Sequence, residues 1–176
     1  LGVSLATMVA NLSANKPGWE EKLNFFSDWA SKGQEIKNEM LFLVDEDTRS
    51  FNAIIDAIRL PKESDEEKKF RLDSIENASQ YAAEVPFKVM QTSARTIDII
   101  KAMIENGNKA SITDAGVGAL CCITAIEGAY MNIRVNTKDL SDTNFAKTLN
   151  QKAYTVLQES KGELQALVEA VHQQIS

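Results

Sequence analysis

The sequence predicts an all-α protein, and three observations support this prediction. Only three prolines and eight glycines interrupt its 176 residues, so that long segments can remain regular. Apolar residues in these segments recur at i, i+3, i+4 and i+7, the period of an amphipathic helix. No segment alternates apolar and polar residues for long enough to indicate a strand. We therefore expect one domain, 1–176, built as a bundle of about six mostly antiparallel helices with short loops.

The first two predicted helices are separated by a proline-glycine segment. The first helix runs to about residue 14 and ends at Asn15–Gly18. The second is very long and follows one amphipathic pattern from Trp19 to Arg59. Gly33 is a candidate kink within it, and Pro61 ends it because proline cannot continue a helical hydrogen-bond ladder.

A capping box marks the start of the third helix. Ser64 precedes Glu67 by three residues, the spacing at which each side chain accepts a bond from a backbone N–H of the first turn. The helix is therefore expected to begin near Asp65. Pro86 predicts a break or kink near Glu84, because proline lacks an N–H and its ring clashes with the preceding turn.

Two further helices complete the chain. Thr113 or Asp114 is placed to cap a strongly apolar helix from Ala115 to about Asn136, and the last helix runs from roughly Ser141 to Ile175. The apolar helix contains glycines 116, 118 and 128. Each costs about 1 kcal/mol relative to alanine in a helix interior, so we expect close contact with another helix or with a dimer partner to compensate.

Composition excludes several classes of function. A net charge of −6 argues against nucleic acid as the main partner. No run of 18 apolar residues suggests a membrane span. The adjacent Cys121 and Cys122 suit a reduced, cytoplasmic protein, and the single His172 lacks the neighbours of a metal site. Because Leu1 is not an initiator residue, the sequence is interpreted as a fragment.

A charged cluster in the second helix is the first candidate site. Asp45, Asp47 and Arg49 lie beside the apolar face, and Lys62 follows the end of this helix. Asp45 and Arg49 are four residues apart and therefore share a face. The cluster is either a solvated helix face with one exposed ion pair, or a site in which the carboxylates transfer protons or stabilise a cation.

Three polar residues of the apolar helix are further candidates. Asp114 is either the N-cap of this helix or an acid of the site. Asn132 and Asn136 are four residues apart on one face. Since asparagine is a poor helix former, this pair indicates polar contacts, either with a ligand or within the structure.

Several motifs in order resemble the formiminotransferase-cyclodeaminase family, in particular its cyclodeaminase domain. The charged cluster and the Leu60-Pro61-Lys62 sequence carry most of the resemblance. The remaining matches extend over roughly residues 1–140 and are Ser4–Val9, Glu66–Lys69, Ala83–Pro86, Gly107–Asn108, Asp114–Val117, Gly128–Ile133 and Asn136. A Gly-rich, serine-containing segment that precedes the first helix in this family is missing here.

The resemblance implies an all-helical, homodimeric enzyme of folate one-carbon metabolism. Such an enzyme converts 5-formiminotetrahydrofolate to 5,10-methenyltetrahydrofolate and releases ammonia, a step of histidine degradation. The tetrahydrofolate derivative is its substrate, and no tightly bound cofactor is expected. A formiminotransferase domain is expected as a partner in the full-length protein. A methenyltetrahydrofolate cyclohydrolase and a non-catalytic dimerisation or folate-holding module remain alternatives.

The same resemblance suggests roles for the candidate residues. Asp45, Asp47 and Asp114 are expected to be the catalytic carboxylates, with Arg49 orienting the first two. Lys62 is expected to bind the glutamate tail of the folate. Asn132 and Asn136 complete the predicted substrate-binding set, and no metal is expected.

Overall fold

Residues 1–176 are described by a computed structural model and form only α-helices, two short 3-10 turns and connecting loops. The α-helices are α1 (Gly2–Ala14), α2 (Leu23–Ile58), α3 (Asp65–Ala94), α4 (Thr96–Asn106), α5 (Ile112–Thr137) and α6 (Thr143–Ile175). The 3-10 turns, Glu20–Lys22 and Lys109–Ser111, precede α2 and α5. The all-α prediction is therefore confirmed.

Helices α2 and α3 form a long antiparallel hairpin. Near one end, the Thr92 hydroxyl donates a hydrogen bond to Glu39 Oε1 at 2.7 Å. Near the other end, Arg71 Nε donates to the backbone oxygen of Ile58 at 3.0 Å. Residue numbers therefore rise along α2 as they fall along α3, which is the arrangement that a short loop between neighbouring helices favours.

Helix α5 occupies the centre of the bundle and packs against α1, α3, α4 and α6. Its first turns lie beside the end of α6, where Gly116 faces Val171. At its last turn, Asn150 Nδ2 of α6 donates to Thr137 Oγ1 at 2.7 Å. Helices α5 and α6 are therefore antiparallel, with α1 packed along another side of α5.

Length and composition alone would allow one segment to cross a membrane. This segment, Lys109–Thr137, contains all of α5. The sequence criterion of an uninterrupted apolar run was therefore too strict to detect it. The central helix of a soluble bundle meets the same test, and α5 has such a position because it packs against four other helices.

The short helix α4 supplies much of the core. Seven of its eleven residues are buried, and the helix packs against α1, α2, α5 and α6. Burial of large apolar side chains is the main stabilising contribution of such a core. The largest fully buried apolar side chains of the chain are Phe26, Met90, Ile99, Ile100, Met103, Ile104, Ile126, Ile133 and Leu164.

A break or kink was predicted near Glu84, and the break is wrong, because α3 continues through Pro86 to Ala94. The real interruption is the single residue Arg95 between α3 and α4. Arg95 forms an ion pair with Glu39 of α2 at 2.6 Å. This interruption lies in an apolar pattern that continues without change, so that local sequence does not mark it.

Gly33 does not interrupt α2, which remains helical from Leu23 to Ile58. A Cβ atom at position 33 would overlap the hydroxyl oxygen of Thr7, and Ile99 also lies close to it. The glycine therefore allows α1 to approach α2 closely. Its function is in packing and not in bending the helix.

The predicted caps have different outcomes. Ser64 and Glu67 form the capping box at the start of α3, as predicted. The cap of α5 was predicted wrongly, since Asp114 is the third residue of that helix and Ser111 occupies the N-cap position. The preceding 3-10 turn is the reason, because it places the helix start earlier than the apolar pattern indicates. Asn108 caps this turn, because its side-chain oxygen accepts a hydrogen bond from the Ala110 N–H within the turn.

Candidate functional site

A large cleft opens between the first turn of α1, the middle of α2, the end of α3 and one face of α5. Its volume is about 1070 Å³, enough for a ligand larger than a typical drug molecule. Its lining is mostly apolar with a few polar groups, the usual composition of a small-molecule site. Its charged and amide side chains are Lys37, Asp47 and Asn132, and its hydroxyl-bearing residues are Ser4, Thr48, Ser93, Thr96 and Thr124.

The α2 wall of the cleft follows one helical stripe. Lys37, Met40, Val44 and Asp47 line the cleft at spacings of three and four residues, which place side chains on the same face of a helix. Asp47 is the only carboxylate among the lining residues, and Lys37 is their only cation. The cleft therefore has one charged wall, and α2 provides it.

Among the predicted catalytic carboxylates, only Asp47 lines the cleft. Asp45 is exposed on α2 and lies outside the lining. Asp114 is half-buried in the first turn of α5, also outside the lining. It shares the helix stripe of Asn132, but the 18 residues between them correspond to about 27 Å along the axis.

Arg49 and Asp45, which the spacing places on one face of α2, do not form an ion pair. The Arg49 guanidinium instead donates to Glu46, three residues earlier. Glu46 also accepts a hydrogen bond from the Tyr81 hydroxyl of α3. Arg49 is therefore engaged in a contact that joins α2 to α3, and does not orient the two predicted aspartates.

This contact changes the proton affinity of both partners. The Tyr81 hydroxyl, followed by the Arg49 guanidinium, lowers the pKa of Glu46, because both donate to its charged form. The same hydrogen bond to Glu46 raises the pKa of Tyr81. The sequence interpretation did not include Glu46 or Tyr81, because their contact spans 35 positions and no local spacing signals it.

Lys62 lies in the exposed loop after α2 and does not line the cleft. Helix α2 continues for 11 residues beyond Asp47, which corresponds to about 17 Å along its axis. Lys37 is the cation that the structure places in the cleft. The helical spacing between Lys37, Val44 and Asp47 is visible in the sequence, and it would have identified Lys37 as a candidate.

Asn132 and Asn136 have different surroundings despite their helical spacing. Asn132 is exposed and lines the cleft. Asn136 Nδ2 instead donates a hydrogen bond to the backbone oxygen of Ala82 at 2.7 Å. Pro86 has no N–H with which to bond the carbonyl four residues earlier, which is that of Ala82. Asn136 therefore satisfies the carbonyl that Pro86 leaves free, and α3 continues through the proline.

The glycines of α5 also divide into two kinds. A Cβ at Gly116 would lie 3.2 Å from Val171, and one at Gly118 would lie 3.1 Å from the Gly2 carbonyl oxygen. These two glycines allow α6 and α1 to approach closely, as predicted. Gly128 lines the cleft and has no atom within 4 Å of such a Cβ. Packing within the chain therefore does not account for it.

Two cysteines and two hydroxyl residues form a second, uncharged part of the cleft. Cys121 and Cys122 are free thiols on the α5 side. Burial raises the pKa of Cys122 to about 11, so that it is neutral at physiological pH. Ser93 and Thr96, at the α3–α4 junction, are each 1% exposed. The sequence interpretation missed both hydroxyls, because the turn at Arg95 that brings them together has no local signal.

No group of three His, Cys, Asp or Glu side chains lies close enough to hold a metal ion. The charged side chains that line the cleft are one carboxylate and one ammonium. A carboxylate beside an apolar wall can accept a proton or stabilise a cation formed in a reaction. The arrangement therefore suits acid–base chemistry on an organic ligand that has a large apolar surface.

Comparison with known proteins relates both the sequence and the fold to one family. Residues 1–155 match the family described as Formiminotransferase-cyclodeaminase. Methenyltetrahydrofolate cyclohydrolase of Methylorubrum extorquens is 28% identical over 176 residues, which are 100% of this chain and 85% of that protein. Formimidoyltransferase-cyclodeaminase of Gallus gallus is 29% identical over 161 residues, 92% of this chain but only 30% of that protein.

A solved structure supports the same relationship at the level of the fold. The crystal structure of formiminotetrahydrofolate cyclodeaminase from Thermotoga maritima matches with a TM-score of 0.76 and 22% identity. The match covers 98% of this chain and 80% of that one. Since the family match alone extends over residues 1–155 of 176, this chain belongs to the formiminotransferase-cyclodeaminase family.

Proposed function

We propose that this chain cyclises 5-formiminotetrahydrofolate to 5,10-methenyltetrahydrofolate and releases ammonia. The observation that carries the proposal is the cleft of about 1070 Å³ with a single carboxylate, Asp47, on an otherwise largely apolar wall. Family membership supports a folate as the ligand, and relatives named for cyclodeaminase activity support the reaction.

The reaction needs a proton acceptor, a proton donor and an environment that tolerates a cation. N10 of the folate attacks the formimino carbon, the N10 proton leaves, and the departing nitrogen is protonated and released as ammonia. The methenyl product has a positive charge, which a nearby carboxylate stabilises. Asp47 is the residue we propose for proton transfer and for this stabilisation. Asn132 would orient the reacting part of the folate by hydrogen bonding.

The folate tail requires a different group. Its glutamate carboxylates are anionic, and Lys37 is the only cationic side chain that lines the cleft. No carboxylate of this chain forms an ion pair with Lys37. We propose that Lys37 binds the glutamate end, a role that the sequence interpretation gave to Lys62. Lys37→Met would therefore raise KM for folates more than it lowers kcat.

Replacement of the two neighbouring aspartates tests the catalytic assignment. Asp47→Asn is expected to lower kcat by about 10²-fold or more, the usual contribution of a positioned acid or base. Asp45→Asn is the matched control, because it removes the same charge two residues away and outside the cleft. The assay follows the methenyl chromophore and ammonia together. Loss of turnover in Asp45→Asn with normal turnover in Asp47→Asn would reverse the assignment.

Hydrolysis of 5,10-methenyltetrahydrofolate is a second candidate reaction, and one observation favours it. The relative named as a methenyltetrahydrofolate cyclohydrolase is matched over 85% of its length, whereas the Gallus gallus relative is matched over 30%. Supplying each folate separately discriminates between the reactions. Formation of the methenyl chromophore with ammonia supports the first, and its consumption without ammonia supports the second. Folate binding without turnover of either would indicate a non-catalytic module.

We also propose that the chain acts as a homodimer that pairs through an exposed apolar face of α5, of which Val117 and Leu120 also line the cleft. Val117, Leu120, Met131 and Val135 of this face are 47%, 51%, 60% and 71% exposed. They follow spacings of three, four and eleven residues, so that they form one apolar stripe. Exposed apolar stripes of this kind mark association surfaces.

Charge substitution tests this dimer. Val135→Glu is expected to convert a dimer to a monomer in light scattering, because it buries a charge in an apolar interface. Phe70→Glu, at an equally exposed apolar residue of α3, serves as the control. A monomeric wild-type chain would refute the dimer. The longer relatives also support a formiminotransferase domain in the full-length protein, which the mass of the native protein would test.

A further inference from the structure

Gly128 lies in the interior of α5, where no contact within this chain requires a glycine. A glycine in a helix interior is destabilising relative to alanine. Gly18 is the only residue of the chain with a positive φ, so backbone conformation does not call for glycine at position 128. A Cβ there would meet no atom within 4 Å. The remaining physical reason for this glycine is the close approach of another molecule to the backbone.

Gly128 belongs to a stripe of α5 that faces the cleft. Cys121, Ala125, Gly128 and Asn132 follow spacings of four, three and four residues, so that their side chains share one face of the helix. All four residues line the cleft. The backbone of α5 at Gly128 is therefore open to a ligand in the cleft.

The position of Gly128 along the cleft follows from the register of α5 on α3. The contacts of Asn136 with Ala82 and of Cys122 with Thr96 show that the two helices are antiparallel. Gly128 precedes Asn136 by eight residues. It is therefore about level with the eighth residue after Ala82, near the end of α3.

Met40 and Val89 lie at the same level on the other walls of the cleft. Because α2 and α3 are antiparallel and Glu39 contacts Thr92, Met40 is about level with Val89 and hence with Gly128. Both side chains line the cleft. The cleft at this level is therefore a slot between the bare α5 backbone and two apolar side chains. A planar ring suits such a slot, and methionine packs favourably against aromatic rings.

This slot lies between the two charged side chains of the cleft. Lys37 and Asp47 are ten residues apart on α2, about 15 Å along its axis, and the level of Met40 falls between them. In the proposed folate function, the reacting carbon lies by Asp47 and the glutamate end by Lys37. The part of a folate that joins these two groups is the planar aminobenzoyl ring.

We propose that Gly128 determines specificity for folates, because it leaves open the slot in which the aminobenzoyl ring packs. This inference rests on the proposed folate function and names the part of the ligand that the middle of the cleft recognises. One face of the ring contacts the α5 backbone, and the other contacts Met40 and Val89. Gly128 takes no part in proton transfer.

Substitutions of increasing size at position 128 test the proposal. Gly128→Ala and Gly128→Leu raise helix propensity, so the free variants are expected to unfold at the same urea concentration as wild type or a higher one. Calorimetric titration with 5-formyltetrahydrofolate is expected to show Kd raised about 3-fold by alanine and roughly 10- to 100-fold by leucine, because the added side chain fills the slot. 6-Methyltetrahydropterin lacks the aminobenzoyl ring and is expected to bind both variants as it binds wild type.

Gly162 of α6 provides the matched control. A Cβ at this position also meets no atom within 4 Å, and Gly162 lies outside the cleft. Gly162→Ala and Gly162→Leu are therefore expected to leave the affinity for both ligands unchanged. Light scattering of Gly128→Leu is expected to give the same mass as wild type, because the slot holds a ligand and not a second subunit.

Unchanged folate affinity in both Gly128 variants, an equal loss of affinity for the pterin, or a changed mass of Gly128→Leu overturns the inference and leaves the proposed function standing. The expected loss of folate affinity, without turnover of any folate by wild type, supports the inference and overturns the proposed function. If wild type binds the folate but not the pterin, the expected folate losses still support the inference, because the ring and tail then supply the affinity. A wild-type protein that binds no folate overturns both.

Discussion

Asn136 was predicted to bind substrate, but in the structure it donates a hydrogen bond to the Ala82 carbonyl. Substitution of Asn136 can distinguish the substrate-binding role from the structural one. Asn136→Ala removes the only side chain that the structure places on the Ala82 carbonyl. Ala82 is 4% exposed, and Pro86 cannot supply the missing N–H. The substitution therefore leaves a buried acceptor unpaired, which costs about 1–3 kcal/mol. For a chain of this size, 1 kcal/mol corresponds to roughly 2–4 °C in Tm.

A variant without Pro86 provides the control for this experiment. Pro86→Ala restores an N–H that can bond the Ala82 carbonyl within α3. In that background, Asn136→Ala is expected to cost less than about 1 kcal/mol, since the carbonyl keeps a partner. Urea unfolding of the four proteins, followed by circular dichroism, gives the coupling between the two positions. We expect a coupling of at least about 1 kcal/mol.

Turnover in the same four proteins distinguishes structure from substrate binding. If Asn136 has only the structural role, kcat/KM measured well below the Tm of each variant remains close to that of wild type. A fully stable Asn136→Ala with a large loss of kcat/KM would instead show that the sequence interpretation of Asn136 as a substrate-binding residue was correct. An equal stability loss with and without Pro86 would refute the account of the proline.

Three further predictions concern carboxylates and glycines of the bundle. Backbone N–H donors at the start of α6 lower the pKa of Glu76 below its ordinary 4.5. The ionised Glu76 carboxylate therefore stabilises the fold above pH 4.5, and this stabilisation is lost as the pH falls through the lowered pKa. Glu76→Gln should reduce the unfolding free energy by about 1 kcal/mol at pH 7, a value limited by solvent screening. Urea titrations should show this difference shrink as the pH falls below 4.5; a constant difference would contradict this. Gly33→Ala gains helix propensity but forces a methyl against Thr7, so we expect a net loss of about 1–2 kcal/mol that Thr7→Ala relieves in thermal unfolding. Gly162→Ala and Gly128→Ala, where a Cβ meets nothing within 4 Å, should each raise Tm by roughly 2–4 °C; a loss at Gly128 alone would mean that another chain occupies the space beside it.

Local sequence was sufficient to predict the helices themselves. Apolar periodicity, the Ser64–Glu67 capping box and Pro61 act within one or two turns, and the structure has helices where these signals predicted them. The prediction failed where a distant contact decides the outcome. Pro86 should have interrupted α3, but Asn136 compensates for it from 54 residues away. The helix is also interrupted at Arg95, where no proline or glycine in the sequence indicates an interruption.

The candidate site required the tertiary structure to a greater extent. Sequence identified the region of α2 that contains Asp47 and also identified Asn132, because both stand out as polar residues on largely apolar helices. It did not separate Asp47 from Asp45, which differ by two positions and therefore by about 200° around the helix. It also missed Lys37, Ser93 and the contact of Arg49 with Glu46.

Sequence by itself therefore determined the class of this protein, the existence and approximate limits of most helices, and the region that supplies a carboxylate. These properties depend on interactions between residues three or four positions apart, which the order of residues specifies directly. Only the tertiary structure decided which stripe of α2 faces which stripe of α5, and hence which polar side chains share the cleft. That choice depends on the antiparallel registers of helices distant in sequence, and the packing of buried side chains sets those registers.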